Sequence, residues 1–223
     1  MGVGVSNRMR NFFSFAGAVA LAVMLVACSG GREKPKPSYE ESSRLPPVAC
    51  VRDPREFAEA EKIRDFDNGR GCGVRNAWRI SSINGVKLSQ PAVVNCAVAN
   101  TFSQWIDETL QPTAERRFGE RVTELTIPSS YACRTRNSVP GAKLSEHARG
   151  NAIDVSGFRL ESGDYVPVEQ GWFASRNVRK FLVTVHDQAC GQFTTVLGPA
   201  EAHHKDHLHF DLQRHRSGGA YCR

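Results

Sequence analysis

Two signatures of unstructured chains are missing from these 223 residues. Glycine and proline together occupy 30 positions in no repeating order, and charged residues make up 23% against 40% hydrophobic. Collagen-like repetition and wholesale disorder are excluded, and the length fits one domain of moderate size. Charge of one sign is not in large excess either. The formal charge is +6 with lysine and arginine scattered, so the chain lacks the basic stripe of a nucleic-acid binder. No internal repeat is visible. No two cysteines stand at C-x-x-C spacing, which argues against a thiol-ligated zinc or a thioredoxin-like redox pair.

One apolar run stands out, from Phe12 to Val26 behind Arg8 and Arg10. It has the length of a signal-peptide core and is short for a membrane span. It ends in Leu25-Val26-Ala27-Cys28, which resembles the lipobox of bacterial lipoproteins. That resemblance implies cleavage after Ala27 and lipidation of Cys28; a simple secretory cut at the same place is the alternative, and either way the chain is exported. Ser29 after the cysteine, by resemblance to enterobacterial sorting, favours the outer membrane over the inner. The stretch from Ser29 to Val48 is rich in proline and charge, too poor in apolar residues to build a core, and reads as a tether. The expected organisation is a lipoprotein signal peptide over 1–27, the lipidated cysteine and flexible linker over 28–48, and one domain over 49–223.

Export makes disulfides durable, and six cysteines remain beyond Cys28: Cys50, Cys72, Cys96, Cys133, Cys190 and Cys222. An even number in that compartment predicts three bridges, with the pairing left open. Within the domain the apolar period changes several times, which predicts an α+β fold with a mainly antiparallel sheet and flanking helices. Asn84-Gly85 between Trp78–Ile80 and Val86–Leu88 predicts a hairpin. Val94, Val98, Thr101, Phe102, Trp105 and Ile106 recur at helical spacing, predicting a helix from Pro91 to Leu110 that stops near Pro112. A second helix is predicted over Ser175–Ala189, and strands over Arg121–Ile127, Ala152–Gly157, Phe193–Leu197 and His207–Leu212.

Two polar clusters carry chemistry. In Ser145-Glu146-His147-Ala148-Arg149-Gly150-Asn151-Ala152-Ile153-Asp154, a turn at Gly150 can fold the loop back so that His147 meets the strand residue Asp154. Four of the seven histidines fall between His203 and His209. In a strand, His207, His209 and Asp211 share one face while Leu208, Phe210 and Leu212 share the other. Two histidines and a carboxylate are the ligand set that leaves an open position on zinc.

S-x-H-x-x-G-x-A-x-D followed by a late H-x-H resembles the zinc D,D-peptidase and hedgehog superfamily. Within it, Cys133–Asn137, Ser145–Val155, Val196–Pro199 and His204–Leu212 are most similar to the bacterial extensin-like protein family. The resemblance implies a single hedgehog/D,D-peptidase-like domain with Zn2+ held by His147, Asp154 and His209. Asp206 stands where carboxypeptidases place a glutamate, one methylene shorter. His204, His207 and His209 reproduce the H-x-x-H-x-H of murein endopeptidases. This favours His207 as the group that orients the water or stabilises the tetrahedral intermediate, with His204 and Asp206 as helpers. Arg134, in an element similar to the Y-R-S of D,D-peptidases, is the expected oxyanion or carboxylate binder, with Arg136 as competitor. Ser145 either bonds a ligand or closes the turn, and His186 is expected to be structural. The implied partners are peptidoglycan stem peptides or crosslinks, and the membrane through Cys28. A non-catalytic cell-wall scaffold that keeps zinc for stability is the rival expectation.

Overall fold

The computed structural model describes Met1, residues 49–174 and residues 176–223. The expected signal peptide, the linker and Cys28 lie outside the described residues. Among the described residues, no helix is long and apolar enough to cross a membrane.

The chain forms a mixed α+β structure in which strands dominate. A six-stranded sheet has the order β1-β4-β5-β6-β8-β9, built from β1 (Ala58–Lys62), β4 (Ala77–Ile83), β5 (Val86–Asn95), β6 (Val122–Thr126), β8 (Gly157–Leu160) and β9 (Tyr165–Pro167). A four-stranded sheet has the order β12-β10-β11-β7, from β7 (Ala152–Val155), β10 (Thr195–Leu197), β11 (Leu208–Asp211) and β12 (Tyr221–Cys222). A small ladder joins β2 (Phe66–Gly69) to β3 (Cys72–Val74). Among the described residues, only the β5–β6 and β10–β12 pairings are parallel.

The expected hairpin is present. Asn84 and Gly85 take φ of 49° and 77°, the left-handed pair that turns β4 into β5 in step with strand twist. The first predicted helix, however, begins five residues late. Pro91 to Val94 belong to β5, whose residues Ala92–Asn95 pair with Ile80–Ala77 of β4. Val94 happens to fall in phase with Val98 and so reads as helical, but the β-branched pair Val93-Val94 extends the strand. Pro91 fits there because the ladder shifts between Ile80 and Ser82, so no hydrogen bond is asked of its missing N–H.

The helix starts at its cap. Asn95 is extended, and its side chain accepts from the Val98 N–H at 2.9 Å, opening α1 (Cys96–Trp105). It does not stop at Pro112 either. A π turn over Ile106–Leu110, in which the Gln111 N–H reaches the Ile106 carbonyl, leads into α2 (Gln111–Phe118) with the proline in its first turn. The wide turn absorbs a residue that could not donate in a regular helix. A short helix, α3 (Val168–Gly171), precedes α4 (Arg176–Asp187), which falls where the second helix was predicted.

The core is one cluster shared by both main sheets and these helices. Trp105 and Phe102 stack at 5.2 Å, Trp105 meets Phe210 of β11 at 5.0 Å, and the indole N–H of Trp105 donates to the Val185 carbonyl at 3.0 Å. The predicted strand Ala152–Gly157 divides at Ser156. Residues before it pair with β11, and those after it pair with β6 in the other sheet. All six cysteines of the domain are bridged, as Cys50–Cys96, Cys72–Cys133 and Cys190–Cys222.

Candidate metal centre

Strand alternation sets the site. In β11, Leu208 and Phe210 enter the core, while His209 and Asp211 turn to the opposite face. Asp154 of β7 lies directly across the ladder from His209, and cross-strand partners share a face. His147 comes from the 3-10 turn Glu146–Arg149, which ends at Gly150 with φ +60°. A Cβ at Gly150 would lie 2.7 Å from a Val74 methyl, so a larger residue would push the turn off β3. Asn151 fastens the same turn, donating to the Glu146 carboxylate at 2.7 Å and accepting from the Asn95 side chain at 2.9 Å.

His147, Asp154 and His209 are 1%, 2% and 7% exposed. His147 Nε2 lies 3.1 Å from His209 Nδ1 and 3.1 Å from Asp154 Oδ1, and the latter two atoms are 2.8 Å apart. The other ring nitrogens fix which atoms face inward. His147 Nδ1–H donates to the Ser130 carbonyl at 2.5 Å, and His209 Nε2–H donates to the Asp211 carboxylate at 3.1 Å. Both outer partners are acceptors, so the inner nitrogens carry lone pairs that face each other and a carboxylate oxygen. With both rings neutral, three buried acceptors face one another, and a cation, either a metal ion or a proton, would complete the set. Ligands at about 2.0–2.1 Å from a tetrahedral zinc stand roughly 3.3 Å apart, a few tenths of an ångström wider than this triangle. The donor set fits a metal ion, and these three residues form the cluster that could hold one.

The electrostatics point the same way. Burial opposes ionisation of Asp154, but hydrogen bonds from His147 and His209 outweigh it and hold the carboxyl well below the usual carboxylate range. Burial likewise opposes charge on His209, yet hydrogen bonds to Asp154 and Asp211 push it up to about 9. When no metal is present, a proton on His209 takes its place among the acceptors.

The remaining predicted residues surround this triangle. His207 precedes β11, and its Nδ1–H donates to Asp206 Oδ1 at 2.7 Å while Nε2 lies 3.8 Å from Asp154 Oδ2. Asp206 itself turns to solvent, its side chain 70% exposed. The His204 ring sits 5.0 Å from His207 and 5.5 Å from His209. Its buried Nδ1 has no hydrogen-bond partner among the described residues. Burial, then the charges of His209 and His207, lower it to about 4.

His147, His204, His207 and His209 line a cleft of about 420 Å³ that also takes in Arg134, Ser145 and Gln213. Arg134 is held beside the ligand turn, its carbonyl accepting from the Ser145 N–H at 3.0 Å. Its guanidinium has no hydrogen bond or ion pair among the described residues, whereas Arg136 is engaged by the Gln213 side chain at 2.6 Å. Ser145 closes the turn through its backbone, accepting from the Ala148 N–H at 3.0 Å. His186 lies away from the cleft, between Asp187, the Arg223 carbonyl and the Trp172 ring.

Two contributors escaped the sequence. Asp211 shared the expected face with His209 but had no role, although its place two residues on was a usable signal. Ser130 acts through its main-chain carbonyl, for which no side-chain pattern exists. No curated protein and no solved structure matches the chain. The family model described as extensin-like protein C-terminus matches residues 49–223, the whole span that builds both sheets and the cleft, and the chain belongs to that family.

Proposed function

We propose that this chain is an exported lipoprotein, anchored through Cys28, whose domain holds zinc on His147, Asp154 and His209 and cleaves peptide or amide bonds of peptidoglycan stem peptides or crosslinks. The observation that carries the reading is the convergence of two buried ring nitrogens and a buried carboxylate oxygen, with both histidines lining an open cleft. Two histidines with a carboxylate are a zinc set with room for substrate, which supports reading the domain as the hedgehog/D,D-peptidase type that its motifs resemble. Bound zinc would polarise a scissile carbonyl and make hydroxide available near neutral pH.

The chain's own groups divide the remaining work. His207, its Nδ1–H held by Asp206, presents Nε2 on the Asp154 side of the triangle. From there it takes a proton from the attacking water and returns it to the leaving amine. Arg134 offers an unengaged guanidinium whose planar fork suits a substrate carboxylate or a developing oxyanion. His204 lines the same wall and raises the local density of donors.

One observation favours the rival reading, a wall-binding scaffold that retains zinc for stability. Asp206 faces solvent and His207, so it does not stand over the triangle as the base. Zinc-loaded protein incubated with sacculi and analysed by mass spectrometry decides between the two. Cleaved D,D- or L,D-bonds are expected, with turnover falling about 10²–10⁴-fold in His207→Ala while zinc is retained. Binding to sacculi with every bond intact would leave the scaffold.

A further inference from the structure

The two histidines of the triangle are held in opposite senses. His147 presents Nε2 because its Nδ1–H is taken by a neutral main-chain carbonyl, that of Ser130. His209 presents Nδ1 because its Nε2–H is taken by the carboxylate of Asp211. A free imidazole has two neutral tautomers and a ring that can turn over, so each ligand needs an outer partner to decide which nitrogen faces in.

Asp211 is built for that task. It is 4% exposed, too buried for a solvating carboxylate. Oδ2 accepts from His209, and Oδ1 accepts the Gln213 N–H at 2.9 Å. With both oxygens occupied, the carboxylate cannot rotate away from the ring. Strand geometry does the rest, because residues two apart on β11 stand side by side on one face. The group also lies outside the triangle, since Asp154 supplies the carboxylate oxygen there.

We propose that Asp211 is a positioning residue, which locks His209 in the tautomer that offers Nδ1 to the metal and whose charge strengthens that nitrogen as a ligand. The proposal rests on the metal reading of the triangle. It concerns a residue to which neither the ligand set nor the cleavage step assigns a part. A merely structural carboxylate would be replaceable without changing the metal; a positioning one would not.

The test uses the full chain, with zinc affinity measured by competition against a chromophoric chelator and the coordination sphere read from the visible spectrum of the cobalt-substituted protein. Asp211→Ala is expected to weaken zinc binding about 10–100-fold and to alter the cobalt spectrum. Asp211→Asn keeps an acceptor of the same shape without the charge, and is expected to fall between Ala and the parent. It also covers the case in which Asp211→Ala does not fold, with circular dichroism as the check. Nitrogen-15 spectra of the zinc-loaded protein should show the His209 proton on Nε2 and Nδ1 bound in the parent, and a mixture of the two ring senses in the variants. A parent that binds no metal removes the metal reading and this proposal with it. A parent that binds zinc, beside variants of equal affinity and unchanged cobalt spectrum, overturns the positioning role alone.

Discussion

The two main sheets bury polar groups in different ways. Around the large sheet, several neutral polar side chains, buried or half-buried, complete the backbone. Gln111 bonds both the N–H and the carbonyl of Val122, Asn95 caps α1, and Asn84 bonds the Ser103 carbonyl and hydroxyl. Around the small sheet, His147, Asp154, His209 and Asp211 are ionisable and bond chiefly to one another. Neutral groups matched to backbone return the cost of their burial as secondary structure. Buried ionisable groups facing each other recover it only where their geometry and hydrogen bonds match. One region is closed by its own backbone, and the other presents a set that a metal ion could complete.

The largest expected effect breaks the second region while sparing the first. Asp154→Ala removes one of three ligands, so metal analysis should fall from about one zinc per chain to none, with the far-ultraviolet spectrum retained. Zinc kept at full stoichiometry would dissolve the contrast.

Phe210→Ala should do the converse, although it sits next to His209. Its ring packs against Trp105 and Phe193. The cavity should cost about 3–5 kcal/mol in urea unfolding, while the folded variant still binds zinc at 25 °C. Loss of zinc from well-folded Phe210→Ala would mean that the two faces of β11 are not separable.

The smallest effect sharpens the boundary. Asn95→Ala should cost roughly 1 kcal/mol through loss of the helix cap. Asn95 also bonds Asn151 in the turn that carries His147. A drop in zinc affinity alongside the small stability loss would show the regions coupled at that one contact.

The candidate site was more legible than the scaffold, for physical reasons. His147 and Asp154 lie close in sequence around a glycine turn, and His209 sits in an alternating strand, so short-range geometry almost completes the triangle. The hairpin at Asn84-Gly85 was legible for the same reason. What escaped depends on distant partners. Ala152–Gly157 reads as one run, and only the pairing of β7 with β11 and of β8 with β6 splits it at Ser156. The start of α1 was hidden because Val94 matched the helical period, although Asn95 held the cap signal. β1, with the pattern Ala-Glu-Ala-Glu-Lys, is an edge strand that is largely exposed, and its alanine and glutamate are depleted in strands and favoured in helices.

The Cys190–Cys222 bridge joins positions 32 apart, and between them lie His204, His207, His209 and Asp211. That whole segment is a covalent ring closed by sulfur. The exposed residues Ala202, His203, Lys205 and Asp206 are where a protease would first find the ring. A single cut there opens the ring without releasing a fragment. Under oxidising conditions the nicked chain would still migrate as one species, and reduction would separate it into two. The segment that carries His209 is thus tied to the domain at both ends, and one break in its backbone does not free it.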